Sequence, residues 1–164
     1  MLWRMVSWNE VEKSEPEFAA KVRRLFDAHK HKTIATLRAD GSPRISGIEA
    51  TFGDGRLLLG MMPGSRKAKD LLRDPRIAVH SGSPEPSDED PSDWAGDAKV
   101  AGRAIAVQDR DALRAIGVPE GDDAPHVFEV DVTELVVIRV GDPPDHLLIE
   151  AWHEGRGVST SRRA

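Results

Sequence analysis

The sequence predicts a small, mainly β protein whose antiparallel strands close into a barrel, with helices flanking it. Three observations predict this. Short β-branched runs alternate apolar and polar residues, as in Thr33-Ile34-Ala35-Thr36-Leu37 and again from Lys99 to Val107. Asp40-Gly41 and Asp54-Gly55 stand between such runs, and Asp-Gly is a strong signal for a tight hairpin. A meander joined by turns this short is strongly twisted, which brings its edges toward later strands that can close it. The 164 residues suffice for one core, so a single domain over residues 1–164 is expected.

Taken in order, Trp3 and Trp8 lie in a polar arm, where large apolar side chains are expected to fold back on their own domain. Ser14-Glu15-Pro16-Glu17 reads as a capping box with Pro in the first turn. It opens a helix over about residues 14–29, with Phe18, Val22, Leu25 and Phe26 spaced by three and four. His29 extends that stripe and His31 follows it, but neither has partners at a metal-ligand spacing. The barrel then runs over about residues 32–152. Its first three strands are Thr33 to Leu37, Pro43 to Phe52 and Arg56 to Met61. Gly47 and Gly60 interrupt strand interiors, which marks a bend, a bulge or a ligand close to the backbone.

Pro63-Gly64 breaks the third strand, and the chain restarts as a basic helix, Arg66 to Leu72, with Ser65 as its N-cap. Pro75 stops it, and Arg76 to Ser81 forms a fourth strand. Residues 83–97, with three prolines, form a long acidic loop, in which Trp94 is either a staple or a lid. A fifth strand, Lys99 to Val107, precedes a short helix, Asp109 to Ile116, ended by Gly117 and Pro119. In the sixth strand, alternation over Val127 to Val132 gives way to the apolar run Leu135 to Val140, whose outer face should be covered by a helix or a second subunit. His146 to Trp152 is the last strand, followed by a basic, Gly/Ser-rich tail.

Composition limits the chemistry. There is no cysteine, so disulfides, thiolate metal sites and cysteine nucleophiles are excluded. The net charge of −5 argues against a nucleic-acid partner, yet the six acids of loop 83–97 account for the whole excess and leave room for a basic pocket elsewhere. The first residues are too soon charged for a signal peptide and no apolar run reaches membrane-spanning length, so a cytoplasmic protein is expected. No Gly-x-Ser-x-Gly elbow and no phosphate-loop pattern is present. Any catalysis would therefore be borrowed from a cofactor. The helix that begins at Arg66 offers a place to hold one. Its first backbone N–H groups lack intrahelical acceptors, and Arg66 and Lys67 stand at the end where the helix dipole disfavours cations. Two cations there suggest an external anion, the alternative being an ordinary solvated first turn.

Gly64-Ser65-Arg66-Lys67-Ala68, followed by Asp74-Pro75-Arg76-Ile77-Ala78-Val79 and preceded by Asp40-Gly41-Ser42-Pro43-Arg44-Ile45, resembles the signature of the pyridoxamine 5′-phosphate oxidase-like, FMN-binding split β-barrel family. The resemblance implies a six- to seven-stranded antiparallel split barrel and a homodimer with a flavin in each of two clefts at the subunit interface. It implies Arg66 and Lys67 as phosphate ligands with Ser65 nearby, Arg44 as a further phosphate contact, and Gly60 and Met61 along the ring. Met62 serves equally well as core filling. Trp152 and His153 would form the mouth of the substrate cleft. Three departures stand out. Glu49 replaces a lysine of flavin-binding members, Asp97 or Lys99 stands where an amide meets the ring, and Trp152 to Ser159 lacks the oxidases' Arg-Leu-His-type substrate motif. Pyridoxamine phosphate is thus not the expected substrate. The expected function is an FMN-dependent oxidoreductase that transfers hydride to or from a small molecule. The deazaflavin coenzyme F420 is the alternative cofactor, since the arginine-, alanine- and aspartate-rich composition is that of GC-rich bacteria that often make it. A non-catalytic flavin-binding or sensing module is the alternative of another class, and a structural dimer with an empty site is a third.

Overall fold

The computed structural model describes residues 4–164, so Trp3 lies outside the described residues. Two helices, α1 (Trp8–Ser14) and α2 (Pro16–Asp27), lead into β1 (Lys32–Leu37), β2 (Pro43–Gly53) and β3 (Arg56–Met61). Helix α3 (Arg66–Arg73) precedes β4 (Arg76–His80), and a 3-10 turn at Pro91–Asp93 precedes β5 (Asp97–Ala106). Helix α4 (Arg110–Ala115) leads to β6 (His126–Val140), β7 (Leu147–His153) and β8 (Gly157–Arg163). The strand order is β3-β2-β1-β4-β5-β6-β7-β8, and β3 also pairs with β6. Strands β1 to β6 therefore close a six-stranded antiparallel barrel, with β7 and β8 outside it, which is the split barrel the sequence predicted.

The closure follows from local chemistry. At the β2–β3 hairpin Asp54 and Gly55 have φ of 50° and 70°, the two left-handed residues that a twist-compatible tight turn requires. A Cβ on Gly55 would also lie 2.6 Å from the Cβ of Asn9. That bare backbone lets α1 dock, and Asn9 N–H donates to Gly55 O at 2.7 Å. The β5–β6 register shifts between Ala101 and Gly102, a bulge that bends the pair. Ile34, Leu57, Leu59, Val100, Phe128, Val130, Val132 and Leu135 fill the interior and are fully buried. Each such side chain contributes about 1.5–3 kcal/mol when removed from water. One end is plugged by α1 and α2, where Trp8 and Phe26 meet Phe52 edge-on with ring centroids 4.6 and 5.7 Å away.

Helix α3 is tied to the barrel by a buried carboxylate. Thr36 and Arg44 are cross-strand partners on β1 and β2. Both reach Asp70 of α3: Thr36 Oγ1 donates to Oδ2 at 2.9 Å and Arg44 Nε at 2.7 Å, while Arg73 Nη2 donates to Oδ1 at 3.1 Å. Burial pushes the Asp70 carboxyl up, but the hydrogen bonds from Arg44, Thr36 and Arg73 together outweigh it and hold the group below the usual carboxylate range. Ser65 caps the helix, its Oγ accepting from Ala68 N–H at 3.4 Å.

The expected helix over about residues 14–29 is α2 (Pro16–Asp27), and a further helix that was not expected, α1, precedes it; Glu15, ahead of a proline, separates the two at φ −137°, ψ 63°. The capping box belongs to Ser7, whose N–H donates to Glu10 Oε2 at 3.0 Å, and Ser14 Oγ donates back to Val11 O. The barrel has six strands, as expected, while the segment expected as a tail forms a further outer strand, β8, paired with β7 from Leu147↔Arg163 to His153↔Gly157. Nothing apolar alternates there, so backbone pairing alone makes it a strand. Finally, the acidic segment contains one 3-10 turn, and Trp94 staples it: Nε1 donates to Pro84 O at 2.9 Å and to Ser83 Oγ at 3.2 Å. Trp8 meets its expectation and is buried. Among the described residues no helix is long and apolar enough to cross a membrane.

Two stability predictions follow from this packing. Trp8→Ala removes a fully buried indole and should lower the stability by about 3–5 kcal/mol in urea unfolding. Trp8→Phe should lose less than half of that, because the buried Nε1–H has no acceptor among the described residues and its removal ends a desolvation penalty. For Asp70, the folded-state pKa lies below the unfolded value, so its contribution is present above about pH 4 and is lost as the pH falls through the lowered folded value. Asp70→Asn should be less stable near neutrality, and the wild-type advantage should shrink steadily on acidification. A gap between the two unfolding curves that does not change with pH would refute this.

Candidate functional site

Because successive strand residues face opposite sides, Gly47, Glu49, Thr51 and Gly53 share the outer face of β2, and Leu58 and Gly60 that of β3. The register sets Glu49 opposite Gly60 and Gly60 opposite Val127, so one row crosses three strands. A cleft of about 820 Å³ opens over this face. Its floor is bare backbone at Gly47, Gly53 and Gly60, and a Cβ at any of the three would meet nothing within 4 Å. Met61, Met62 and Pro63 border it at the end of β3, Ile116, Val118 and Pro125 wall it from the connection between α4 and β6, and His31 and Glu49 stand at its rim.

Lys67 enters the cleft from the first turn of α3, and its Nζ donates to Gly47 O. The turn before the helix is held from β6, where His126 Nε2 accepts from Gly64 N–H at 3.4 Å. The backbone N–H groups of Arg66 and Lys67 have no acceptor within the helix, and the dipole there favours an anion. A planar ligand with an anionic end fits this arrangement, because the flat floor lies beside a cation and a helix start.

The other residues expected at the site divide among three places. Gly60, Met61 and Lys67 line the cleft. Arg44 and Arg66 instead line a separate hollow of about 400 Å³, together with Lys69, Asp70 and Arg73, and Ser65 caps the helix between the two. Met61 is buried while Met62 is 78% exposed, so core filling falls to Met61. Trp152 is buried beside α1, in a hollow shared with Arg4 and Glu10, and His153 Nε2 bonds Glu134 Oε2 at 2.8 Å, so neither borders the cleft of its own chain. Of the replacing residues, Glu49 faces the cleft and pairs with Lys30 at 3.4 Å, while Asp97 pairs with His80 at 3.2 Å. His31, Thr51, Ile116, Val118 and Pro125 were not singled out as site residues. Only the glycines at 47 and 60 gave a local signal, and the walls come together through the tertiary fold.

A family model described as pyridoxamine 5′-phosphate oxidase matches residues 18–138. Among solved structures, PhzG from Burkholderia lata, in complex with tetrahydrophenazine-1-carboxylic acid, superposes with a TM-score of 0.62 at 16% identity, over 92% of this chain and 95% of that one. A pyridoxamine 5′-phosphate oxidase-related, FMN-binding protein from Nostoc punctiforme superposes at 0.61 with 12% identity, over 92% and 96%. A heme-binding protein from Mycobacterium smegmatis superposes at 0.54 with 16% identity, over 99% and 90%. No curated protein matches the sequence. These identities carry the fold alone, whereas the family model spans most of the barrel, from Phe18 in α2 into β6, and includes the hairpin, the glycine floor and the Ser65-Arg66-Lys67 helix start. The chain belongs to the pyridoxamine 5′-phosphate oxidase family.

Proposed function

We propose that the chain binds FMN in this cleft as a homodimer and acts as an oxidoreductase that passes hydride to or from a small molecule. The observation that carries the reading is the side-chain-free floor at Gly47, Gly53 and Gly60, set beside the start of α3 and the Lys67 cation. The floor suits a planar ring, and the helix start suits its phosphate. A bound flavin supplies reversible hydride chemistry. The chain's own part is to hold and shield it: Lys67 and the first amides of α3 grip the phosphate, Gly60 lets the ring lie on the β3 backbone, and Met62 with Ile116, Val118 and Pro125 excludes water from one side. Arg44 and Arg66, which line the neighbouring hollow, bring further positive charge to the phosphate rather than ring contacts. The FMN-binding relative from Nostoc supports the cofactor class.

The partner is a second copy. Ile45 and Met62 are 74% and 78% exposed on the open face of β2 and β3, an unusual display of large apolar side chains that a subunit interface would cover. The competing reading is a binding module without turnover, which the heme-binding relative of the same fold supports. Reduction of the bound flavin by a nicotinamide, followed by reoxidation, would separate the two.

Fluorescence titration with FMN and riboflavin tests the site. The double variant Arg66→Ala, Lys67→Ala should weaken FMN roughly a hundredfold or more, at about 1.5–3 kcal/mol for each charge-assisted contact. Riboflavin, which lacks the phosphate, should be nearly insensitive to it. Gly60→Val should abolish binding of both while leaving the urea midpoint unchanged, since valine suits a strand and its Cβ has open space. Unaltered FMN binding in both variants would overturn the assignment.

A further inference from the structure

We propose that the connection between β5 and β6, residues 108–125, is a lid that closes over a ligand in the cleft, with Ile116 as its apolar tip. The inference deepens the proposed function by giving that cleft a moving wall, and it rests on that reading for the cleft being a ligand site.

A connection that served only to join two antiparallel strands would be short or would be tied to the core. This one is neither. From Ile105 to His126 no residue is buried, and α4 contributes no buried side chain. Such stretches open first in a folded chain, because little apolar contact is lost when they move. Among the described residues, every hydrogen bond of 108–125 also stays inside the segment. Asp109 accepts from the N–H groups of Asp111 and Ala112 at 2.9 and 3.1 Å, Arg114 pairs with Asp111 and Glu120, and Val118 N–H returns to Leu113 O at 3.0 Å. The neck is pinned where the two strands part, with Val107 N–H donating to Val127 O at 2.9 Å. The segment is thus a self-contained piece swung from one fixed root.

It has space on both sides. Ile116, Val118 and Pro125 face the cleft of about 820 Å³. Val118 and Pro125 also border a second hollow of about 430 Å³ with Leu113, so one layer of chain separates the two. Gly117 and Gly121 flank Val118–Glu120 with φ of 79° and 130°, and a Cβ on either would meet nothing within 4 Å. These glycines therefore serve backbone conformation rather than close packing, and they mark where the strap bends.

What the strap presents decides what it does. Ile116 is 39% exposed although it stands on the wall of a cavity. An isoleucine left partly in water beside an apolar cleft gains when a ligand fills the space next to it. Apolar contact then draws the segment onto a bound ring, while in the free chain little holds it down. Gly60 and Met61 of β3 and Val127 of β6 belong to the closed barrel and cannot follow a ligand in this way. The lid accordingly sets how long a ligand stays rather than how fast it arrives.

Hydrogen exchange read by mass spectrometry on the full chain tests this. FMN and the apolar, anionic dye anilinonaphthalene sulfonate serve as separate probes, at a protein concentration where light scattering gives the same mass with and without probe. In the free chain, peptides of 108–125 should exchange at least about tenfold faster than those of β5 and β6. Either probe, bound in a way that Gly60→Val abolishes, should slow exchange in 108–125 by about tenfold or more. Ile116→Ser, with a urea midpoint equal to that of wild type, should release the bound probe about tenfold faster in stopped-flow dilution and keep its association rate within about twofold. Exchange in 108–125 that matches the strands, or that a bound probe leaves unchanged, overturns the lid, as does an Ile116→Ser variant that releases at the wild-type rate. If FMN does not bind but the dye does, slows exchange in 108–125 and leaves faster from Ile116→Ser, the cofactor reading falls and the lid stands. If neither binds, both fall.

Discussion

Everything in this molecule depends on four residue pairs. The barrel closes only where β3 meets β6, from Leu58↔Glu129 to Met61↔His126, and β3 ends there because Pro63 has no N–H to continue the ladder. Without that seam β3 would be an open edge, and the row from Glu49 through Gly60 to Val127 would not exist. The seam also sets the turn into α3, since His126 at its last pair accepts from Gly64 N–H. Arg56 and Glu129 brace its other end with an ion pair at 2.8 Å. Bringing β6 round to this position needs a bend, which Gly102 allows: a Cβ there would sit 2.0 Å from Asp131 O, so no other residue can occupy the bulge without moving β6.

Helix α3 carries a local contradiction, and the fold around it resolves the contradiction. Two cations in its first turn oppose the dipole, costing a few tenths of a kcal/mol or more. No acidic residue stands in that turn to offset them. The helix holds its place through Ser65 at one end and through Asp70 in its middle, where a buried carboxylate is satisfied by three donors from β1, β2 and α3 itself. A chain that breaks a local rule and then anchors the offending element from below is stabilising a site rather than a helix. The anchoring also separates functions by face: Lys67 points into the cleft, and Arg66 with Lys69 into the hollow.

Much of this was legible in the sequence wherever the signal is local. Asp54-Gly55 dictates its own turn, Ser65 its own cap, and the prolines at 63 and 75 their own breaks, so β3 and the start of α3 were readable almost to the residue. What escaped is what local chemistry does not encode. The α1 helix is seven residues long and stable through Trp8 packing on Phe52, and β8 exists because β7 offers it a backbone ladder. The split of the basic residues between two faces was half visible: 66, 69 and 73 share a helical face and 67 does not. Which face looked at which cavity required the barrel.

Under the proposed function, the walls of the cleft are where discrimination among small molecules would reside. The stretch that would carry the oxidases' substrate motif is spent on structure: Trp152 is core, His153 is bonded to Glu134, and Gly157 to Arg163 is strand β8. On that reading selectivity would fall to the cleft's own border. Met62, Ile116, Val118 and Pro125 present apolar surface, and Glu49 turns the rim of β2 negative. Lys30 pairs with Glu49 only at 3.4 Å and with both side chains more than half exposed, so solvent screens the pair and it compensates little of that charge. An anionic partner entering past Glu49 meets repulsion, while an apolar or cationic ring meets matching walls. The same negative charge pushes anionic groups toward α3, where Lys67 stands on one side of the helix and Arg44, Arg66 and Lys69 on the other. Negative charge at the rim and positive charge along α3 would thus orient a ligand with one apolar end and one anionic end in a single direction across the glycine floor.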